Sequence, residues 1–457
     1  MIAISNDFLD RYNRAGPRYT SYPTVPYWDN AFGEAEYRQA LQTLSQRNDD
    51  ALSVYVHLPF CAQRCHYCGC NATVTTHESV VDAYLDRVER EIDIVMDVVG
   101  GTRHAVQLHW GGGTPNFLTN AQMQRMYGIL ERHFTIDPRA EVAIEIDPRI
   151  ASREQIQFIR SLGFNRVSLG IQDFDVMVQE AIGRIQPEAL TREIYNTCRE
   201  CGFDSVNVDL VYGLPGQTRV TFERTLHNII ELSPDRIACF SYAHLPNARA
   251  NQRRVDVTFM PDHYEKFHLF QMAIDGFINA GYDWIGMDHF ARHDDEMAVA
   301  ARECRLHRNF MGYTIRPATD QIAFGMSSIG DMAHCFVQND AKLGNYQKAI
   351  DEGRLPIVRG MRLSDDDMLR RRVITHMMCN LELPYNLTIA DFGASVPELL
   401  PDELERVQPY IEEGFLDVEP DRLVVTTLGR FFIRNVCMEF DAYLGQQTDR
   451  PLFSKTI

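Results

Sequence analysis

The sequence has too little positive charge for a protein that holds a polyanion. Its 457 residues contain 45 Lys and Arg against 63 Asp and Glu, which gives a formal net charge of -18 at pH 7. Binding to a nucleic acid backbone or to an anionic membrane surface depends on an excess of basic side chains. The composition therefore argues against both kinds of partner.

Long apolar runs are also missing. No stretch of about 18 apolar residues is present, which argues against a membrane-spanning helix. The first residues, Met1 to Phe8, lack the basic and apolar regions of a signal peptide. No internal repeat or low-complexity tract is evident, which argues against a solenoid. We therefore expect a cytoplasmic globular protein with two or three domains.

The eleven cysteines do not form the pattern of a disulfide framework. Such a framework spreads paired cysteines through a short secreted chain, whereas four of these cysteines lie between residues 61 and 70. A reduced, metal-binding cluster is therefore favoured. The other seven, which we interpret as small apolar core residues, are Cys198, Cys201, Cys239, Cys304, Cys335, Cys379 and Cys437.

Three thiols, those of Cys61, Cys65 and Cys68, follow the apolar run 53–60 closely enough to converge from one loop on one metal centre. Thiolates favour zinc, copper(I) or iron–sulfur clusters, and three protein ligands leave a four-iron cluster with one open iron. A structural zinc site is the alternative. Such a site normally takes paired ligands from two separated loops, and no matching second pair is evident.

Short apolar runs alternate with amphipathic helical patterns from about residue 51. The predicted strands are 53–60, 105–110, 141–147, 166–172, 205–212, 236–243 and 284–290. The predicted helices between and after them are 84–99, 119–133, 152–162, 187–202, 218–232 and 261–280. Repeated strand, helix, strand units argue for an α/β fold with parallel strands in a barrel or partial barrel.

The ends of the chain differ from this pattern. Residues 1–50 contain the proline-broken stretch 16–24, which we interpret as an N-terminal arm, either on the surface or as a flap that covers the site. Residues 51–300 form the predicted barrel. Residues 301–457 form a mainly helical C-terminal domain, with a helix at 401–414, a hairpin at 415–427 and a helix at 428–444.

A parallel barrel carries its chemistry at the carboxyl ends of its strands. The unusual residues of this chain lie at those predicted ends. They are the cysteine loop after the first strand, Gly111–Pro115 after the second, Glu145 and Asp147 at the third, Gln172 at the fourth, Asp209 in the fifth and Ala243 at the sixth.

The Cys-x3-Cys-x2-Cys spacing of Cys61, Cys65 and Cys68, together with the glycine run 111–113, resembles the radical S-adenosylmethionine superfamily. The resemblance implies that the three thiolates hold a [4Fe–4S] cluster whose open iron binds S-adenosylmethionine. Reduction of the cluster then yields methionine and a 5′-deoxyadenosyl radical. The implied fold is a partial (β/α)6-type parallel barrel followed by the mainly helical domain.

Further segments narrow the resemblance, over nearly the whole chain, to the family of oxygen-independent coproporphyrinogen III oxidases (dehydrogenases). They are 16–24, Tyr55–Cys61, Cys68–Cys70, Leu108–Pro115, Gly286–Arg292 and His307–Thr314. This resemblance implies oxidative decarboxylation of two propionates of coproporphyrinogen III to vinyl groups, giving protoporphyrinogen IX in anaerobic haem biosynthesis. The alternative is a haem-binding chaperone of the same superfamily.

The family resemblance also implies contacts to two S-adenosylmethionine molecules. Those to the cluster-bound molecule are Tyr55, Gly112 and Glu145. Those to the second molecule are Tyr67, Gly113, Thr114, Gln172, Arg184, Asp209, Ala243 and Ile329.

Cys70 and several arginines complete the predicted site. The chaperone relatives lack a cysteine at position 70, so we predict that Cys70 supports catalysis rather than holding the cluster. The tetracarboxylate substrate requires local positive charge, for which the candidates are Arg18, Arg249, Arg253, Arg254, Arg308 and Arg316. We further expect a small reductant protein as electron donor and a monomeric enzyme.

Overall fold

The computed structural model describes residues 4–47, 51–444 and 453–456, so the outermost parts of the predicted arm and C-terminal domain lie outside the described residues. The chain divides into two compact units. The sheet unit comprises residues 29–261 and 316–362, and the helical unit comprises residues 1–28, 262–315 and 363–457. Both units are built from separate stretches of the sequence. The predicted domains, 1–50, 51–300 and 301–457, are instead each one continuous stretch.

Six parallel strands form the centre of the sheet unit. They are β1 (Leu52–Leu58), β2 (Arg103–Gly112), β3 (Phe134–Ile146), β4 (Arg166–Gln172), β5 (Ser205–Tyr212) and β6 (Arg236–Ser241). Each pairs in parallel with the next in chain order. The predicted partial barrel of parallel strands is confirmed, because the six strands occur where the apolar runs place them.

Four further strands extend the sheet beyond β1. They are β7 (Asp320–Phe324), β8 (Ile329–Met332), β9 (Cys335–Asn339) and β10 (Ile357–Arg362). β7 is parallel to β1, and β8 to β10 continue as an antiparallel meander. The sequence interpretation did not include these strands, because short runs such as Asp320–Phe324 carry polar residues that become fully buried only in the sheet.

Helices cover the parallel strands. β1 is buried at six of its seven positions, as expected for a parallel strand covered on both faces. The helices of this unit are Glu34–Ser45, Glu78–Val99, Asn120–His133, Arg153–Ser161, Val176–Ala181, Glu188–Glu200, Arg219–Leu232 and Leu343–Asp351. Among the described residues, no helix combines the length and the apolar character needed to cross a membrane.

The helical unit has its own apolar core, in which the rings of Phe415 and Phe432 stack with centroids 4.9 Å apart. Its helices are Asn6–Tyr12, His263–Asn279, Glu296–Arg302, Asp365–Asn380, Ile389–Phe392, Val396–Leu399, Pro401–Arg406, Gln408–Glu412 and Thr427–Met438. Its strands are Tyr282–Gly286, His289–Arg292, His307–Asn309, Gly312–Thr314, Glu382–Pro384, Leu416–Val418 and Arg422–Val425.

Three predictions for this unit are wrong in detail. The helix predicted at 428–444 ends at Met438. The predicted strand 284–290 is an antiparallel hairpin, because the chain turns at Met287, whose φ is +41°. The predicted helix 401–414 is two short helices, the second of which has a proline in its first turn. The predicted hairpin within 415–427 is confirmed.

A buried carboxyl group ties one covering helix to the strands beyond β1. Glu91, on the helix Glu78–Val99, is 1% exposed. It accepts hydrogen bonds from Gly325 N at 2.8 Å, Asn339 Nδ2 at 2.5 Å and Tyr346 Oη at 2.6 Å. Burial outweighs these hydrogen bonds and raises the pKa of Glu91 to about 7.

This raised pKa makes the stability of the sheet unit depend on pH. Glu91 has a folded-state pKa above its ordinary value near 4.5, so the unfolded chain binds fewer protons between the two values. The free energy of unfolding should therefore fall as pH rises through this range, by up to about 3 kcal/mol. Glu91→Gln cannot titrate, so the wild type should lose stability relative to this variant. Urea unfolding of both proteins at about pH 5 and about pH 8 tests this; a constant difference between them would contradict it.

Candidate functional site

The cysteine loop, residues 61–72, leaves the carboxyl end of β1 and is closed at its base by a short parallel pair. In this pair Phe60 lies opposite Thr73 and Cys61 opposite Val74. Cys65 is buried, Cys61 and Cys68 are half-buried, and Cys70 is exposed. One short loop therefore presents all four clustered thiols at one edge of the sheet.

Two arginines face the most buried of these thiols. Cys65 Sγ lies 3.7 Å from Arg149 Nη2 and 3.9 Å from Arg184 Nη1. Asp147 forms an ion pair with each guanidinium group, at 2.7 Å with Arg149 and at 3.1 Å with Arg184. Burial opposes ionisation of Asp147, but the two arginines outweigh it and lower its pKa. The triad therefore places two guanidinium groups and one carboxylate beside Cys65 Sγ.

The other thiols have distinct surroundings. Cys61 Sγ lies 3.2 Å from Thr114 Oγ1, yet burial raises the pKa of Cys61 to about 11. A hydrogen bond from the Cys70 side chain lowers the pKa of Cys68 to about 6, and the Cys70 amide also donates to Cys68 Sγ at 3.4 Å. Cys70 therefore supports the thiolate of Cys68 in this structure. Among the described residues, no three Cys, His, Asp or Glu side chains are grouped closely enough to hold one metal ion.

Aromatic and carboxylate side chains line the carboxyl ends of β1 to β3. The rings of Tyr55 and His109 stack with centroids 5.9 Å apart, and Tyr55 Oη lies 3.1 Å from His57 Nδ1. Glu145 accepts a hydrogen bond from Gly112 N at 3.1 Å and lies 3.5 Å from His109 Nε2. Burial opposes ionisation of Glu145, but His109 and Gly112 lower its pKa overall. The structure thus brings Tyr55, Gly112 and Glu145 together at one edge of the sheet.

The glycine run is needed for packing at this edge. A Cβ atom on Gly112, whose φ is +123°, would lie 2.8 Å from the ring of His57. A Cβ atom on Gly111 would lie 2.9 Å from Glu145, and one on Gly113 would lie 2.6 Å from the Pro59 carbonyl group. Side chains at these positions would fill the space beside the cysteine loop.

A half-buried carboxyl group lies on β5. Asp209 accepts hydrogen bonds from Ser168 Oγ at 3.0 Å and Asn207 Nδ2 at 2.8 Å. Burial and the charge of Glu145 raise the pKa of Asp209 to about 7. Gln172 lies at an irregularity in the β4–β5 pairing and has a φ of +72°, which turns the chain at the end of β4.

The remaining predicted residues are placed on neighbouring elements. Tyr67 packs against a buried apolar cluster of the sheet unit, and the Ala243 carbonyl accepts a hydrogen bond from Gln252. Ile329 begins β8, opposite Gln338. Among the described residues, no hydrogen bond joins Ile329 to the four clustered thiols.

Most of the predicted arginines are already engaged. Arg18 forms an ion pair with Asp288 inside the helical unit, and Arg308 Nη1 donates to the Arg18 carbonyl at 3.1 Å. Arg249 donates to Asn71 Oδ1 at 3.1 Å, and Arg253 donates to the Pro246 carbonyl.

Sequence reasoning missed several residues that build the site. His57, His109 and Arg149 lie in or beside the quoted motifs, so their proximity to strand ends could have identified them. Asn251 and Gln252 bind the carbonyl groups of the cysteine loop from about 185 positions along the chain. No local signal in the sequence marks that contact.

Comparison with known proteins matches this chain from end to end. Residues 55–229 match the family model described as Radical SAM superfamily, and residues 363–432 match the HemN C-terminal domain. An oxygen-independent coproporphyrinogen III oxidase from Escherichia coli (strain K12) is 42% identical over 449 residues, covering 98% of this chain and 97% of the relative. One from Synechocystis sp. is 40% identical over 463 residues, covering 100% and 98%.

A solved structure agrees with these relatives. The coproporphyrinogen III oxidase (HemN) from Escherichia coli, described as a radical SAM enzyme, superposes with a TM-score of 0.90 at 42% identity. The match covers 93% of this chain and 98% of that chain. The chain therefore belongs to the oxygen-independent coproporphyrinogen III oxidase family of the radical S-adenosylmethionine superfamily, whose members use a [4Fe–4S] cluster and S-adenosylmethionine.

Proposed function

We propose that this protein oxidatively decarboxylates two propionate side chains of coproporphyrinogen III to vinyl groups, giving protoporphyrinogen IX and two CO2. The observation that carries the proposal is the cysteine loop at the carboxyl end of β1, beside Gly112 and Glu145, in a chain with full-length relatives of that name. Each propionate gives a hydrogen atom from its β-carbon to a 5′-deoxyadenosyl radical, which becomes 5′-deoxyadenosine, and the substrate radical then releases CO2 and passes one electron to a one-electron acceptor.

Cys61, Cys65 and Cys68 would hold the [4Fe–4S] cluster. Soft thiolates on one loop suit iron and sulfide, and the ligands of a four-iron cluster bind separate iron atoms. The lowered pKa of Cys68 favours the thiolate form that ligation requires, and two guanidinium groups lie within 4 Å of Cys65 Sγ. When bound, the reduced cluster supplies the electron that splits S-adenosylmethionine into methionine and the hydrogen-abstracting 5′-deoxyadenosyl radical.

Tyr55, Gly112 and Glu145 would bind the first S-adenosylmethionine. Glu145 is held ionised by His109 and Gly112, so its carboxylate can accept hydrogen bonds from an ammonium group or from ribose hydroxyls. The ring of Tyr55, which stacks on that of His109, lies at the same edge of the sheet.

A second S-adenosylmethionine would lie toward β4 and β5. Its proposed contacts are Tyr67, Gly113, Thr114, Gln172, Arg184, Asp209, Ala243 and Ile329. Two observations support this placement: the Arg184 Nε atom has no hydrogen-bond partner among the described residues, and Asp209 has a pKa raised to about 7. Asp209 can therefore exchange a proton with a bound polar group near neutral pH.

The substrate carries four carboxylates, which a chain of net charge -18 must meet with local positive charge. Arg18 is already neutralised by Asp288. Arg253 and Arg254 are exposed directly after the residues that hold the cysteine loop, and the hydrogen bond of Arg253 to the Pro246 carbonyl leaves its charge in place, which makes them the stronger candidates in the sheet unit. We further propose a small reductant protein as electron donor, a monomeric enzyme and a cytoplasmic location.

Anaerobic turnover tests the proposed function. Protein reconstituted with iron and sulfide is incubated with coproporphyrinogen III, S-adenosylmethionine and dithionite. We expect protoporphyrinogen IX and CO2, with 5′-deoxyadenosine formed in step with the loss of substrate carboxyl groups. Binding of haem without vinyl products would reject the oxidase assignment in favour of a haem-binding chaperone.

Serine substitution tests the three proposed cluster ligands. The variants Cys61→Ser, Cys65→Ser and Cys68→Ser should each reduce the amount of bound iron and sulfide by at least about tenfold. Substitution of residues that only support metal ligands already weakens metal binding by about tenfold. Cys201→Ser removes a half-buried thiol outside the loop and serves as the matched control. Iron and sulfide analysis after anaerobic reconstitution is the measurement. Wild-type protein with zinc in place of iron would contradict the assignment.

Cys70→Ser tests the separate role of the fourth thiol. Because Cys70 is exposed and hydrogen-bonds to Cys68 rather than completing a ligand set, the variant should keep its iron but form vinyl product at least about a hundredfold more slowly. Iron content and product analysis on the same preparation separate the two effects. Full activity would contradict a catalytic role, and loss of iron would make Cys70 a structural partner of the cluster.

A further inference from the structure

The cysteine loop is held mainly through its backbone carbonyl groups, by side chains from elsewhere in the sheet unit. Asn251 Nδ2 lies 3.0 Å from Cys65 O, 3.1 Å from His66 O and 2.9 Å from Cys68 O. Gln252 Nε2 lies 2.8 Å from Tyr67 O. Four consecutive carbonyl groups are thus met by two adjacent side-chain amides.

The carbonyl groups that follow are also held by side chains. Arg64 donates to Cys70 O at 2.7 Å and to Ala72 O at 3.1 Å. His57 Nε2 lies 2.9 Å from Asn71 O. Arg64 lies in the cysteine loop and His57 lies on β1, which leads into the loop. Asn251 and Gln252, by contrast, come from a segment that is distant in sequence.

That segment is anchored to the end of β6. Asn251 and Gln252 lie on the 3-10 helix Ala250–Arg254. Gln252 is 2% exposed, accepts a hydrogen bond from Leu245 N at 2.5 Å and donates to Ala243 O at 3.2 Å. Three carbonyl oxygens around one terminal atom of Asn251 require that atom to be the nitrogen, since an amide oxygen could donate nothing to them.

The contacts have an electrostatic consequence for the thiols. A carbonyl oxygen repels a thiolate, and a short loop with three thiolates must keep its carbonyl dipoles from turning toward them. Amide hydrogen bonds fix those dipoles in one orientation. Peptide dipoles and hydrogen bonds near a cluster in turn set its reduction potential.

We propose that Asn251 is a positioning residue that fixes the carbonyl groups of the cysteine loop, thereby holding the thiols in place and setting the reduction potential of the cluster. The inference rests on the proposed function for the cluster itself. Gln252 anchors the segment, and the two N–H donors of the Asn251 amide are shared among three of the four carbonyl groups.

Thiol alkylation in metal-free, reduced protein tests the positioning role without any cluster. Asn251→Ala removes the donors, and Asn251→Asp keeps the shape while removing them. The alkylation rate of Cys65, which is 7% exposed, should rise by about tenfold in both variants, as expected from losing several hydrogen bonds. Asn345→Ala, which removes an exposed surface asparagine, is the matched control and should leave the rate unchanged.

The reduction potential and electron paramagnetic resonance spectrum of reconstituted protein form the second measurement. Both should differ from wild type in Asn251→Asp as well as in Asn251→Ala. A wild-type reduction potential and spectrum in Asn251→Asp would overturn the proposal, because they would show that a side chain of the same shape without N–H donors is sufficient. Should Asn251→Ala fail to fold, Asn251→Asp carries the same test. Wild-type protein that binds no iron would reject the proposed function, whereas an unchanged alkylation rate would reject only the role of Asn251.

Discussion

Parallel pairing of β1 with β2 is the constraint on which the site depends. The register places Tyr55 beside His109, His57 beside Gly111 and Leu58 beside Gly112. Because parallel strands end at the same edge, the cysteine loop and the glycine run begin side by side. A shift of one residue would reverse the side chains of β1 and separate Tyr55 from His109.

Charge is the second constraint, and the site balances it locally. Thiolates and two carboxylates at one edge would repel one another in a chain that is already strongly acidic. Arg149 and Arg184 offset the charge of Asp147 and face Cys65, while His109 and a backbone amide stabilise Glu145. At Asp209, burial and the charge of Glu145 outweigh its hydrogen bonds and the nearby His109, and its pKa stays raised.

The sequence was sufficient for features that lie within one segment. Apolar runs predicted all six central strands, and the spacing of Cys61, Cys65 and Cys68 predicted one shared loop. It was insufficient where burial arises only from tertiary pairing. The strand Asp320–Phe324 reads as partly polar, yet all five of its residues are buried beside β1. At 284–290, by contrast, an apolar run turns at Met287 and forms a hairpin.

The contacts of Asn251 show why the rest of the site could not be predicted. A single asparagine on a 3-10 helix belongs to no periodic pattern or motif in the sequence. Its role depends on three carbonyl groups about 185 residues earlier in the chain. The cysteine loop pairs its own backbone at one of these groups, by a 3.4 Å hydrogen bond from the Cys68 amide to Cys65 O, and its short irregular course leaves the others to donors from elsewhere. Buried carbonyl groups are rarely left without a donor, so a loop shaped to present three thiols creates a demand that some other segment must meet. The spacing of the cysteines therefore implies that such donors exist, but only the fold identifies the segment after β6 as their source.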